Sequence, residues 1–189
     1  LEVWDISRPM ARQVIPAPAG QGPSPPLPLG AVAYSALAVC FLRVQSPSDR
    51  LGIRPTRSIT ARVCLGSPPV AAACRDAGWE FMGHAFEQMP IHKVEDQKAM
   101  IERSLDTIEK FTGKRPVGWL GPGLTQTYET PELLVGAGIK YIGDWVYDDE
   151  PTTIHTANGP LVTLPYSVEL NDIPMMIVQH HESAYYQKR

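Results

Sequence analysis

His84 stands in the stretch Gly78-Trp79-Glu80-Phe81-Met82-Gly83-His84-Ala85-Phe86-Glu87-Gln88, directly after a short apolar run at 79–82 that reads as a buried strand. An imidazole in such a place can exchange a proton near neutral pH or donate to an oxyanion. The same layout recurs downstream. Residues 117–120 run into Gly121-Pro122-Gly123, residues 141–143 into Asp144-Trp145, residues 161–164 into Pro165-Tyr166 with Glu169 and Asp172 beyond, and residues 175–178 into Gln179-His180-His181. Ligands and catalytic groups collect at the carboxyl ends of parallel strands. Candidate strands that deliver polar or conformationally special residues to one end therefore argue for a site.

Each candidate has a chemical and a structural reading. His84 can act as general acid or base; alternatively it bonds a backbone carbonyl. Glu2 could activate water as a base, or be a frayed terminal carboxylate. Asp144, beside Trp145, could orient His84 or bind a substrate nitrogen, or it could cap a turn. Asp148 and Asp149 read as solvated turn residues. Glu169 and Asp172 flank Asn171 and could bind a polar substrate or simply form the turn. His180 and His181 are adjacent, so on a strand only one can face a site. His92 reads as a loop or helix-entry residue. Gly121 and Pro122 belong to a loop whose backbone can approach a ligand closely, and Trp145 and Tyr166 are further substrate-binding candidates. The Gly121-Pro122-Gly123 loop lacks the length and lysine of a phosphate loop, which argues against nucleotides.

These groups need a scaffold, and from Leu51 onward the pattern supplies one. Residues 55–61 read as a strand, although Arg57 fits a buried strand badly. Ser67-Pro68-Pro69 starts a helix over 70–77, with serine as N-cap and proline in the first turn, and Gly78 stops it. The clearest helix is 94–111, with Val94, Ile101, Leu105, Ile108 and Phe111 on one face and Gly113 at its end. Another begins at Thr130-Pro131-Glu132 and ends at Gly136 and Gly138. Short apolar strands alternating with helices predict an α/β fold with a parallel sheet, open or closed into a barrel. The earlier part differs. Prolines 16, 18, 23, 25, 26 and 28 with Gly20, Gly22 and Gly30 make 16–30 a Pro-rich surface loop. Residues 31–44 are apolar without a clear period.

The 189 residues, 43% hydrophobic and 20% charged, suit one globular domain. A net charge of −3 excludes a broad polyanion-binding surface, so no nucleic-acid partner is expected. No apolar run reaches membrane-spanning length, and residues 1–5 show no basic segment leading into an apolar one. Cys40, Cys64 and Cys74 have no CxxC spacing, and they read as small buried hydrophobes in a reducing, cytoplasmic compartment.

From Gly78 onward the sequence resembles the polysaccharide deacetylase superfamily (NodB homology, carbohydrate esterase family 4), and within it the branch that includes the metal-independent allantoinases. The stretches that carry the resemblance are residues 79–84, Gly118-Trp119-Leu120-Gly121-Pro122-Gly123-Leu124-Thr125, Tyr141-Ile142-Gly143-Asp144-Trp145 and residues 164–172. The resemblance implies a distorted (β/α)7 barrel and hydrolysis of a carbon–nitrogen bond in an acyl amide or cyclic ureide. The implied partner is a small-molecule or glycan-derived amide substrate, and a homo-oligomer is left open. Family deacetylases carry a base and a metal ligand as paired aspartates after the first strand, and here Glu2 and Val3 stand at those places. Their second motif has two metal histidines, and here it reads His84-Ala85-Phe86-Glu87-Gln88. Leu120 stands where an arginine is usual. One imidazole and a neutral amide make a poor divalent-cation site, so no metal and no other cofactor is expected. The family's late strand ending in histidine would fall past Tyr186. The expectation is therefore one catalytic domain over 1–189, incomplete at both ends. Two rival readings are a non-catalytic barrel fragment or binding module and a metal-dependent polysaccharide N-deacetylase.

Overall fold

The computed structural model describes residues 44–189 except 168, 170, 172, 187 and 189. Glu2, Val3, Cys40, Asp172 and the Pro-rich stretch 16–30 lie outside the described residues. Residues 44–51 are helical (α1). Then follow β1 (Thr56–Ile59), α2 (Arg62–Gly66), α3 (Pro68–Asp76), β2 (Glu80–Gly83), α4 (Gln97–Thr112), β3 (Gly118–Trp119), α5 (Thr130–Gly136), β4 (Tyr141–Ile142), β5 (Thr152–Thr156), β6 (Gly159–Thr163) and α6 (Ser183–Tyr186). The six strands form one sheet in the order β1-β2-β3-β4-β6-β5. Neighbours are parallel except β5 and β6, which form an antiparallel hairpin. The fold is mixed α/β, as the alternating pattern predicts. Among the described strands β1 and β5 end the sheet, and no pairing between them closes a ring.

The core forms two clusters. One joins Ile91, Ile101, Leu105, Trp119, Leu134, Ile139, Ile142 and Leu161. The other joins Ile59, Ala61, Cys64, Ala71, Cys74, Trp79, Phe81, Phe86 and Ile108. Helix α4 serves both, which is what its apolar face over Ile101, Leu105 and Ile108 demands. Asp96 caps that helix by accepting the Ala99 N–H at 2.9 Å, and Gly113 ends it in the left-handed region at φ 78°. Cys64 and Cys74 are free and buried, and burial raises the pKa of both thiols, that of Cys64 to about 11.

Several local expectations need correction. Val94 lies outside α4, because it ends a short 3-10 turn at Ile91–Lys93 and the cap is two residues further on. Ser67 precedes α3, but its hydroxyl makes no capping bond; Pro68 and Pro69 lead the helix instead. The strand expected at 175–178 is a π-helical segment, Ile173–Val178. Pro174 has no N–H to give a sheet ladder. Asn171 bonds the Ile173 N–H through its side chain at 2.9 Å and the Met175 N–H through its carbonyl at 3.1 Å, so this stretch closes on itself. An apolar run of this length fits helix or strand by period alone. Strand β5 was not anticipated, although its Thr- and Ile-rich run and the Asn158-Gly159 turn are hairpin signals. Arg57 causes no conflict: β1 ends the described sheet, and Arg57 is exposed there.

Glycine 83 sits against a filled part of the core. A Cβ there would lie 2.7 Å from Trp119 Cε3 and 3.4 Å from Leu105 Cδ2, and the Trp119 side chain is fully buried. Gly83→Ala is expected to destabilise the chain by about 1–3 kcal/mol, the usual cost of overpacking a filled core. Urea unfolding measures it; a change within about 0.5 kcal/mol, typical of a neutral surface position, would contradict this packing.

Candidate active site

The carboxyl ends of β1 to β4 and β6 are laced together by the residues that follow them. His84 N–H donates to Ile59 O at 3.1 Å, Ala61 N–H to Ala85 O at 3.0 Å, and Arg62 N–H to Phe86 O at 3.0 Å. Ala85 is held at φ 57°, a left-handed conformation that a residue with a Cβ seldom adopts. Arg103 lies over the Phe86 ring, 3.6 Å from its centroid, and Arg62 pairs with Glu87. Leu120 N–H donates to Gly83 O at 2.9 Å, Gly143 N–H to Trp119 O at 3.1 Å, and Leu164 N–H to Ile142 O at 2.8 Å. A Cβ on Gly143 would sit 3.0 Å from Leu120 Cδ1 and 3.6 Å from Tyr166 Cβ. The ends of β3, β4 and β6 are therefore in direct contact.

One peptide group joins the two ionisable candidates. His84 Nδ1 is 2.5 Å from Leu120 O. The next N–H, that of Gly121, donates to Asp144 Oδ1 at 2.5 Å. The second carboxylate oxygen of Asp144 accepts from Gln126 Nε2. A carbonyl oxygen can only accept, so His84 carries its proton on Nδ1, and in the neutral ring Nε2 holds a lone pair. Burial lowers the His84 pKa; the bonds to Leu120 and to the Gln88 side chain oppose that shift by favouring the charged ring. Asp144 is 6% exposed, and burial raises its pKa to about 6 against the Gln126 and Gly121 bonds, which pull it down.

The structure thus brings together His84, Gly121, Pro122, Asp144 and Tyr166. Asp144 is bonded to Gly121 and Gln126 rather than to His84. The Gly121 N–H is engaged by that carboxylate, and Pro122 has none, so this loop packs on itself more than it offers donors. A Cβ on Gly121 would lie 2.6 Å from Thr125 O. Trp145 packs against the core, and its carbonyl accepts from the Thr163 hydroxyl. Glu169 is exposed and accepts from Ser167 Oγ at 2.6 Å. His180 is exposed after the π-helical segment, at φ 55°, so the strand-end argument that nominated it no longer applies. Asp148 and Asp149 are exposed, as expected of turn residues, and His92 lies in the 3-10 turn before α4.

Gln126 was missed. Nothing in its spacing marks it, because its role arises from the path of the loop after β3. Among the described residues no group of three or more His, Cys, Asp or Glu side chains could hold a metal ion. The donors at His84, one imidazole and the Gln88 amide, do not fit a divalent cation.

Two solved structures share this arrangement of elements. An inferred polysaccharide deacetylase from Mycobacterium smegmatis matches at TM-score 0.71 and 24% identity, covering 78% of this chain and 53% of its own. PuuE allantoinase matches at TM-score 0.70 and 21% identity, covering 82% of this chain and 52% of its own. The chain has the polysaccharide deacetylase fold. It spans about half the length of these two structures. A CE4 family pseudoenzyme from Bacillus anthracis shares the fold less fully, at TM-score 0.51 and 13% identity, covering 54% of this chain and 37% of its own. No family model and no curated protein matches the sequence.

Asp144 holds its proton more tightly in the folded chain than an ordinary aspartate does at pKa 3.8. The stability linked to it is complete below that value and is lost as pH rises through about 6. Asp144→Asn is expected to escape this loss. Urea unfolding of both proteins across this window should show the variant gaining on the wild type as pH rises, by up to about 3 kcal/mol for a shift of about two pKa units. A stability difference that does not change with pH would contradict the burial of this carboxylate.

Proposed function

We propose that the chain is a hydrolase of non-peptide carbon–nitrogen bonds, acting on an acyl amide or a cyclic ureide. The single observation that carries this reading is the state of His84. Its ring is half-buried at a strand end, its proton is fixed on Nδ1, and burial favours the neutral form. Nε2 is then a proton acceptor at neutral pH. Water adds to the substrate carbonyl while Nε2 takes one of its protons. The C–N bond breaks as that proton passes to the leaving nitrogen. Backbone stabilisation of the oxyanion of the tetrahedral intermediate would have to come from N–H groups other than those of His84, Leu120, Gly121, Gly143 and Leu164, which the fold engages. Glu2 is the alternative base and lies outside the described residues. The fold shared with a polysaccharide deacetylase and an allantoinase supports the hydrolase class.

The likeness to a CE4 pseudoenzyme favours one second reading, a module that binds such a substrate without turning it over. The two readings separate on turnover. The folded chain is expected to hydrolyse at least one of allantoin, hydantoin and N-acetylglucosamine oligomers, with ammonia, ureide or acetate release as the readout. His84→Gln, which keeps size but not basicity, should lower kcat by about 10²- to 10⁴-fold with the fold intact. Binding without turnover would favour the module; turnover unaffected by His84→Gln would remove His84 from the chemistry.

A further inference from the structure

We propose that Gln126 is a positioning residue: with Asp144 it clamps the Leu120–Gly121 peptide, whose carbonyl then holds the His84 proton on Nδ1 and makes Nε2 the nitrogen without a proton in the neutral ring. A trans peptide directs its C=O and N–H to opposite sides. The C=O of this one meets His84 Nδ1 at 2.5 Å, and its N–H meets Asp144 Oδ1 at 2.5 Å. If the N–H end loses its acceptor, the plane of the peptide is free to rotate and the carbonyl leaves the imidazole. Asp144 can serve as that acceptor only while its other oxygen is also satisfied, because a buried carboxylate with too few donors is costly. Gln126 Nε2 is the side-chain donor that satisfies it. Linked hydrogen bonds of this kind polarise and strengthen one another.

The loop is built to deliver that amide. Thr125 on one side donates to Pro122 O at 2.8 Å and accepts the Ile91 N–H at 2.8 Å. Thr127 on the other side donates its N–H to Thr130 Oγ1 at 2.9 Å and bonds Gln97 through its hydroxyl. The backbone of Gln126 is thereby fixed on both flanks. Its own Oε1 is buried and has no partner among the described residues. The amide is thus held for its N–H alone, at the cost of an unsatisfied oxygen. On Gly121 a Cβ would lie 3.2 Å from Asp144 Oδ2, so the carboxylate lies tight against the peptide it holds.

The functional weight of this clamp rests on His84 being the proton-transfer group, but its structural part is testable without any substrate. The test is ¹⁵N NMR of the full chain labelled at histidine, with Gln126→Met as the variant that keeps volume and loses the donor. In the wild type, His84 is expected to show a protonated Nδ1 and an unprotonated Nε2, and the Gly121 amide is expected to exchange slowly with solvent. In Gln126→Met the His84 signals should move toward a mixture of tautomers and Gly121 exchange should quicken at least tenfold. Asp144→Ala, which removes the acceptor directly, is expected to do the same and keeps the test decisive if Gln126→Met does not fold. An unchanged tautomer in whichever of the two variants folds would overturn the clamp. Where the wild type turns a substrate over, kcat should fall by about tenfold in Gln126→Met with KM little changed, the size of effect that a lost buried hydrogen bond carries. A shifted tautomer with unchanged kcat would sink the role of His84 and leave the clamp standing.

Discussion

The peptide between Leu120 and Gly121 is the constraint on which the site depends. Its carbonyl decides which nitrogen of His84 is basic, and its N–H decides where the Asp144 carboxylate rests. Neither ionisable side chain touches the other. Their coupling passes through one rigid planar unit, so small errors in the path of the loop after β3 would disturb both ends together. That explains why so much of the surrounding hydrogen bonding is spent on this loop. Thr125, Thr127 and Thr130 all bond within it, and Gln97 ties it to the first turn of α4.

The position of that peptide is set in turn by close packing beneath it. Leu120 follows Trp119, which is fully buried against Gly83, and the Leu120 N–H donates to the Gly83 carbonyl. Gly143 lets Leu120 and Tyr166 approach the end of β4. A Cβ at either glycine would lie closer to its neighbour than side chains normally pack, 2.7 Å from Trp119 Cε3 at Gly83 and 3.0 Å from Leu120 Cδ1 at Gly143, so those neighbours would have to shift. Tight interiors transmit such displacements rather than absorbing them. The stability of the core and the geometry of the site are therefore one problem at β2, β3 and β4, and β6 joins it through its pairing with β4.

Much of this was legible in the sequence. The α/β alternation, the long amphipathic helix and the strand ends at His84, Leu120 and Asp144 all follow from periodicity and glycine placement. The places where reading failed have physical reasons. The run from Ile173 to Val178 is apolar enough for a strand, but Pro174 and the Asn171 cap favour a wound segment. That removed the basis for His180. The hairpin strand β5 is Thr152-Thr153-Ile154-His155-Thr156, with a single aliphatic residue, so no apolar run announces it. Gln126 was invisible for a different reason, and of the backbone carbonyl weighed as a partner for His84 only its identity, Leu120, was hidden. One acts through a loop path and the other through the backbone, and residue type encodes neither.

A binding experiment tests the location of the site most directly. The chain also has a cleft of about 150 Å³ between α4 and α5, lined by Lys98, Ile101, Glu102, Glu132, Leu133 and Asn158, away from the strand ends. Titrating allantoin or N-acetylglucosamine into ¹⁵N-labelled chain and following its amide signals separates the two places. The expected result is that shifts concentrate at Gly83–Ala85, Leu120–Leu124, Asp144–Trp145 and Tyr166. Shifts confined to Lys98, Glu132 and Asn158, with the strand ends unmoved, would contradict the account.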